Sequence, residues 1–115
     1  MAFHGMFSQG IEKFNGLLKT NGEYQELMKE YEGRSLVVKI KNDASYVVNI
    51  TRLGLVLLLS PKKIPNDMFF ETSPDIFKRI IKDRKINFAD LAMGRIKVKN
   101  IGPKELAMVK KLLGA

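Results

Sequence analysis

Acid–base and metal chemistry in this sequence would have to be built from very few residues. His4 is the only histidine and cysteine is absent. Composition therefore excludes zinc–thiolate sites, cysteine-ligated iron–sulfur clusters, thiol nucleophiles and disulfides, and it leaves neither a Ser–His–Asp triad around a buried histidine nor a Cys/His zinc site within reach. His4 lies among the first residues, where mobility is expected rather than a catalytic pocket. Paired carboxylates are the remaining acid–base option, yet Glu23, Glu26, Glu30 and Glu32 follow the pattern of a solvated helix face. Phosphate-cradling loops of the Gly-x-Gly-x-x-Gly or Gly-Lys-Ser/Thr type do not occur. The sequence reads as non-catalytic, with no cofactor and no metal.

Cations are the more informative charged groups. The formal net charge is +8, and residues 58–115 carry 13 basic and 6 acidic groups against 7 and 6 in residues 1–57. The excess gathers in Lys78, Arg79, Lys82, Arg84, Lys85, Arg95, Lys97 and Lys99. Such a cluster serves as a solvated face, as a contact for lipid phosphate or an anionic membrane, or as a nucleic-acid surface. Readers of single strands interleave aromatics with the cations, whereas Phe77 and Phe88 here fall on apolar helical stripes, which argues against nucleic acid as the partner.

The elements that must position these groups follow from hydrophobic periodicity. Phe7, Ile11, Phe14 and Leu18 recur at helical spacing, and a second helix capped by Asn21 carries Tyr24, Leu27, Met28 and Tyr31 before Gly33 ends it. The period then changes to two: Leu36, Val38 and Ile40, a turn at residues 42–44, then Tyr46, Val48 and Ile50, a hairpin with one face in the core. The run from Leu53 to Leu59 lacks polar alternation, so a strand covered on both faces is expected. A Pro61/Pro65 loop, a short strand at 68–72, a helix started by Ser73-Pro74-Asp75, a shorter helix from Asn87 to Gly94, a strand over 95–99 and a helix opened by Gly102-Pro103 complete the chain. In the expected last strand Arg95, Lys97 and Lys99 share the solvated side.

Grouped strands with helices at both ends predict one α+β domain over residues 1–115, with a largely antiparallel sheet of about five strands. Hydrophobic residues at 45% and charged residues at 28% fit a folded globular chain. The start lacks a secretory pattern, and residues 53–59, the longest apolar run, are too short to span a bilayer, so a cytoplasmic location is expected.

Two stretches together resemble a known family. Asn21-Gly22-Glu23-Tyr24, with Tyr31-Glu32-Gly33 leading into Leu36-Val37-Val38, is similar to the entry of prokaryotic sterol carrier protein type 2 domains, with Tyr31 where tryptophan is commoner. Met68 to Phe77, Phe88 to Asn100 and Leu106 to Leu112 resemble that family's C-terminal strand, helix, Gly-basic-apolar strand and closing helix. The resemblance runs from about Leu17 to Leu113; the Pro61-to-Asn66 loop departs from it, and the final residues are not a peroxisomal tripeptide. It implies a curved five-stranded sheet with helices on one face, enclosing an apolar tunnel that binds and transfers or presents a fatty acid, acyl-CoA, phospholipid, isoprenoid or sterol. The lining it implies is Val56 and Leu58 from the third strand, Phe77, Ile80 and Ile81 from the next helix, Phe88 and Leu91 from the short helix, and Leu106, Val109 and Leu113 from the last. Arg95, Lys97 and Lys99 are the expected membrane or phosphate contacts. The competing reading is a basic interaction module with a solid core that docks on nucleic acid or an acidic protein.

Overall fold

A computed structural model describes residues 3–83 and 85–112, Leu112 by its backbone alone. The expected element order is present: α1 (His4–Leu18), α2 (Gly22–Tyr31), β1 (Ser35–Ile40), β2 (Ser45–Thr51), β3 (Gly54–Leu59), β4 (Met68–Thr72), α3 (Pro74–Asp83), α4 (Phe88–Ala92), β5 (Lys97–Lys99) and α5 (Pro103–Leu112). Local chemistry sets several boundaries. The Asn21 side chain accepts from the N–H groups of Glu23 and Tyr24 at 3.0 and 3.4 Å, which starts α2. Gly33, at φ 84°, ends its turn. His4 opens α1 and is exposed, instead of lying in a loose terminus. The last strand is shorter than expected, because Arg95 and Ile96 donate their N–H groups to the carbonyl of Asp90 and not to a sheet neighbour.

The strands form one sheet in the order β3-β2-β1-β4-β5. Three neighbouring pairs are antiparallel; β1 and β4, at the centre, run parallel. A parallel neighbour requires a crossover, and residues 60–67 supply it by passing over β2 and β1.

The inner face carries the core. Leu36, Val38 and Ile40, Tyr46, Val48 and Ile50, Leu55, Met68 and Phe70 meet Phe7, Ile11, Phe14 and Leu18 of α1, Met28 and Tyr31 of α2, Phe77 and Ile80 of α3, and Met108 and Val109 of α5. Rings knit the layers together: Phe7 stacks on Tyr46 at 4.4 Å and on Phe77 at 5.4 Å, and Phe3 meets Phe77 edge-on at 5.0 Å. The Tyr46 hydroxyl accepts from the Phe3 N–H and donates to Asp43 Oδ2, both at 3.1 Å. The outer face shows a row fixed by register, Leu58, Val47, Val37, Phe69 and Lys99. Val37 and Val47 are buried there although they stand outside the helix-side core.

β3 is a correction to the sequence reading. It is an edge strand covered on one side only. Leu55 faces inward, so period two turns Val56 and Leu58 outward, where they are 47% and 39% exposed.

Two polar devices hold this arrangement. Arg34 donates from Nε and Nη2 to both oxygens of Asp67 at 2.6 to 2.9 Å, and the Ser35 N–H donates to the same carboxylate at 2.9 Å. At the β3 edge the Asn15 amide pairs with the Leu55 backbone, donating to its carbonyl at 3.1 Å and accepting from its N–H at 2.8 Å. That close approach needs Gly54, whose φ is 140° and where a Cβ would stand 2.6 Å from Asn15 Oδ1.

The hydrogen bonds from Arg34 lead in holding the Asp67 carboxyl below the usual range, against burial. A lowered folded-state value contributes stability that is complete above the unfolded carboxylate value of about 3.9 and is lost as pH falls through the folded value. Asp67→Asn is therefore expected to cost about 1–3 kcal/mol at neutral pH and to flatten the loss of stability below about pH 4. Urea unfolding of both proteins across that window checks it. Gly54→Ala is expected to destabilise by about 1–3 kcal/mol or more through φ strain and the Asn15 clash. Asn15→Ala in the same background relieves the clash but also removes both hydrogen bonds to Leu55 and leaves the φ strain, so full stability should not return in thermal unfolding.

Candidate ligand-binding site

The inner layer joins most of the lining residues expected from the sequence. Phe77, Ile80 and Val109 are buried members of one apolar cluster, and Ile81, Leu91 and Leu106 pack against it half-buried. They reach it from α3, α4 and α5, each by its inward stripe. The layer also contains Met28, Met68 and Met108, flexible thioethers that re-pack at low cost.

α5 closes one side and is fastened at its rim. Tyr31 donates to Glu105 Oε2 at 2.6 Å, and Glu105 Oε1 accepts from the Gly102 N–H at 2.9 Å, capping α5. Burial first, then the Glu105 hydrogen bond, pushes the Tyr31 phenol up to about 12; the same bond leads in holding the Glu105 carboxyl low. Lys104 pairs with Glu30, and Lys111 pairs with Glu23 while lying 5.3 Å from the Tyr24 ring centroid. Glu23 and Glu30, part of a solvated pattern in the sequence, thus tie α2 to α5. Polar contacts at the rim and apolar ones beneath describe a strap.

A groove of about 530 Å³ opens where α1 and α2 meet the β2–β3 turn. Leu18 and Met28 form its floor, and Lys19, Lys29 and Arg52 stand on its rim. Met28 belongs to both the groove and the buried layer. The sequence reading missed this place, because Lys19, Lys29 and Arg52 are dispersed along the chain and only the packing of α2 on α1 gathers them.

Other expected lining residues lie elsewhere. Val56 and Leu58 face out from the sheet. Phe88 is 78% exposed instead of lying on a buried stripe. It follows the N-cap Asn87, and the inward side of α4 is taken by Leu91 and by Asp90, which is 1% exposed. Asp90 receives Arg79 on Oδ2 and Arg95 Nη1 on Oδ1 at 3.2 Å. Burial acts to raise this carboxyl, and the hydrogen bonds from Arg95 and Arg79 outweigh it, so it titrates below the usual range. Leu113 lies outside the described residues. Among the expected headgroup contacts, Arg95 is thus engaged with Asp90. Lys97 stands opposite Glu71, which also pairs with Lys39 at 3.7 Å, and the Lys99 ammonium sits 5.7 Å from the Phe69 ring centroid.

Among the described residues no helix is long and apolar enough to cross a membrane. No protein-family model and no curated protein sequence matches this chain. Solved structures do. A UbiJ-SCP2 ubiquinone synthesis protein superposes with a TM-score of 0.67 at 14% identity, over 94% of this chain and 92% of its own. The apo form of sterol carrier protein 2 from Yarrowia lipolytica gives 0.63 at 16% identity, over 95% and 84%. Domain 2 of the sterol carrier protein of Helicoverpa armigera gives 0.61 at 17% identity, over 91% and 86%. These superpositions each cover more than nine tenths of this chain, and it has the sterol carrier protein fold.

Proposed function

We propose that the protein is a non-catalytic carrier that binds a single lipid-like ligand, with the acyl or isoprenoid chain in the layer between sheet and helices and an anionic head at the groove between α1, α2 and the β2–β3 turn. The observation that carries this reading is Met28. It floors a groove rimmed by Lys19, Lys29 and Arg52 and is also part of the buried apolar layer. One flexible side chain separates a cationic mouth from an apolar interior. The shared fold with sterol carrier proteins supports the same reading.

The energetics suit a carrier. Burying about sixteen methylenes contributes roughly 12 kcal/mol gross, against an association cost of about 4–15 kcal/mol. Binding of moderate strength follows, with release into an acceptor within reach. Phe77 and Val109 are fully buried against neighbouring side chains, so entry of a chain requires re-packing. The three core methionines and the rim-fastened α5 make that re-packing local.

Titration with a fluorescent fatty acid is expected to give a one-site isotherm, and solvent extraction of the purified protein followed by mass spectrometry to show co-purifying lipid. Met28→Trp should abolish the titration at a stability cost of about 1–3 kcal/mol, whereas Val56→Trp, on the outer face, should leave it unchanged. A delipidated, cooperatively folded wild type that binds no probe would make the protein a solid-core interaction module instead. Neutralising Lys19, Lys29 and Arg52 to Gln should weaken a fatty acid about tenfold or more and its methyl ester hardly at all. Equal losses for acid and ester would move the head away from this groove.

A further inference from the structure

α4 is amphipathic the wrong way round for a core helix. Its inward side holds the carboxylate of Asp90 and the half-buried Leu91, while Phe88, Ala89, Ala92 and the adjoining Met93 are all exposed, Phe88 at 78% and Met93 at 68%. Residues 88, 89, 92 and 93 share one helical face, so these exposures form a single apolar ridge. Scattered exposed apolar residues are ordinary; a ridge of two large ones on a helix whose charge is buried is not.

The surroundings state what the ridge meets. Lys85 lies three residues before Phe88 and Arg95 two residues after Met93. The guanidinium groups of Arg79 and Arg95 converge on Asp90 from α3 and from the chain entering β5, half-exposed themselves. Lys97 and Lys99 project from β5, which forms a groove together with Leu91 and Gly94 of this corner. Residues 78–99 carry eight cations and two carboxylates, and of those two Asp90 is neutralised within its own cluster. An acidic protein groove would match the charge but would leave the ridge needing a complementary apolar slot. An anionic bilayer supplies both: headgroup phosphates for the cations and acyl carbon for Phe88 and Met93.

We propose that α4 is a docking element for anionic membranes, in which Phe88 and Met93 enter the interface while Lys85, Lys97 and Lys99 contact lipid phosphate. The docking does not depend on what the inner layer holds. Burying Asp90 turns the ridge outward, and its two arginines hold α4 in that orientation.

The chain contains no tryptophan, so Phe88→Trp is a single-site reporter. Its emission is expected to shift to the blue and to be quenched by brominated acyl chains on vesicles of phosphatidylcholine with phosphatidylglycerol, and to stay unchanged on phosphatidylcholine alone. Phe88→Ser with Met93→Ser alters only exposed side chains and should lower vesicle partitioning about tenfold or more. Lys85→Gln or Lys97→Gln should lower it about fivefold each. Val56→Ser, at an exposed apolar residue on the outer face of β3, should have no effect. Fatty-acid titration in vesicle-free solution should be unaltered by the double serine variant, so this proposal and the carrier reading fail separately. Unchanged partitioning of that variant, or an unshifted emission of the Phe88→Trp protein on anionic vesicles, overturns the proposal. So does a dimer in sedimentation that the double variant abolishes without any vesicle binding, since the ridge would then join two copies.

Discussion

The pairing of Arg34 with Asp67 is the contact on which the rest of the architecture turns. β1 and β4 are parallel and separated in sequence by β2, β3 and the 60–67 crossover, so nothing local sets their register. The bidentate pair, reinforced by the Ser35 N–H, sits just ahead of the first cross-strand partners, Arg34 two residues before Leu36 and Asp67 one before Met68. Asn100 donates to the Asp67 carbonyl at 3.1 Å, which ties the end of β5 to the same corner. α5 starts three residues later, and Tyr31, at the end of α2, holds it through Glu105. One corner thus aligns both halves of the sheet and sets where the closing helix begins.

Sequence patterning made much of this legible, and the failures have physical causes. Alternation in β1 and β2 named the inward residues because polar partners marked the other face. In β3 the run of apolar residues carries no such mark; its parity depends on pairing with β2, which composition does not express. The parallel β1–β4 pair was hidden for the same reason, since partner choice is non-local. Gly54 was readable as an isolated glycine in a strand, a sign of close backbone approach, but its partner Asn15 lay on a helix. In the candidate site, Phe77, Ile80, Ile81, Leu91, Leu106 and Val109 came from sound helical stripes. Phe88 failed because periodicity assumes that the apolar side of a helix is its buried side.

α4 breaks that assumption through electrostatics. A carboxylate is buried only when partners offset its desolvation, and here two arginines from separate elements do so. A helix of five residues has one inward side to offer. With Asp90 occupying it beside Leu91, the remaining apolar residues have no route to the core. The same ion cluster that closes the α3–α4–β5 corner also exposes the ridge, so internal packing and surface character are one choice.

The proposed groove and the proposed docking ridge stand at opposite edges of the sheet, the first beside the β2–β3 turn and the second beside β5. The inner layer is a single apolar cluster that includes Leu55 and Met28 near the first and Ile96 near the second, with Leu91 packed against the cluster. A chain whose head is held by Lys19, Lys29 and Arg52 would extend toward α3 and α4, so that its tail, and not its head, points to the docked membrane. Transfer in that geometry requires either the chain to thread the layer or the molecule to roll on the surface. Both routes re-pack Phe77 and Ile80, because the proposed chain itself lies between sheet and α3, and rolling needs in addition cations at both edges. Lys19, Lys29 and Arg52 at one edge and Lys97 and Lys99 at the other would meet that need, so the charge layout is compatible with rolling as well as with threading.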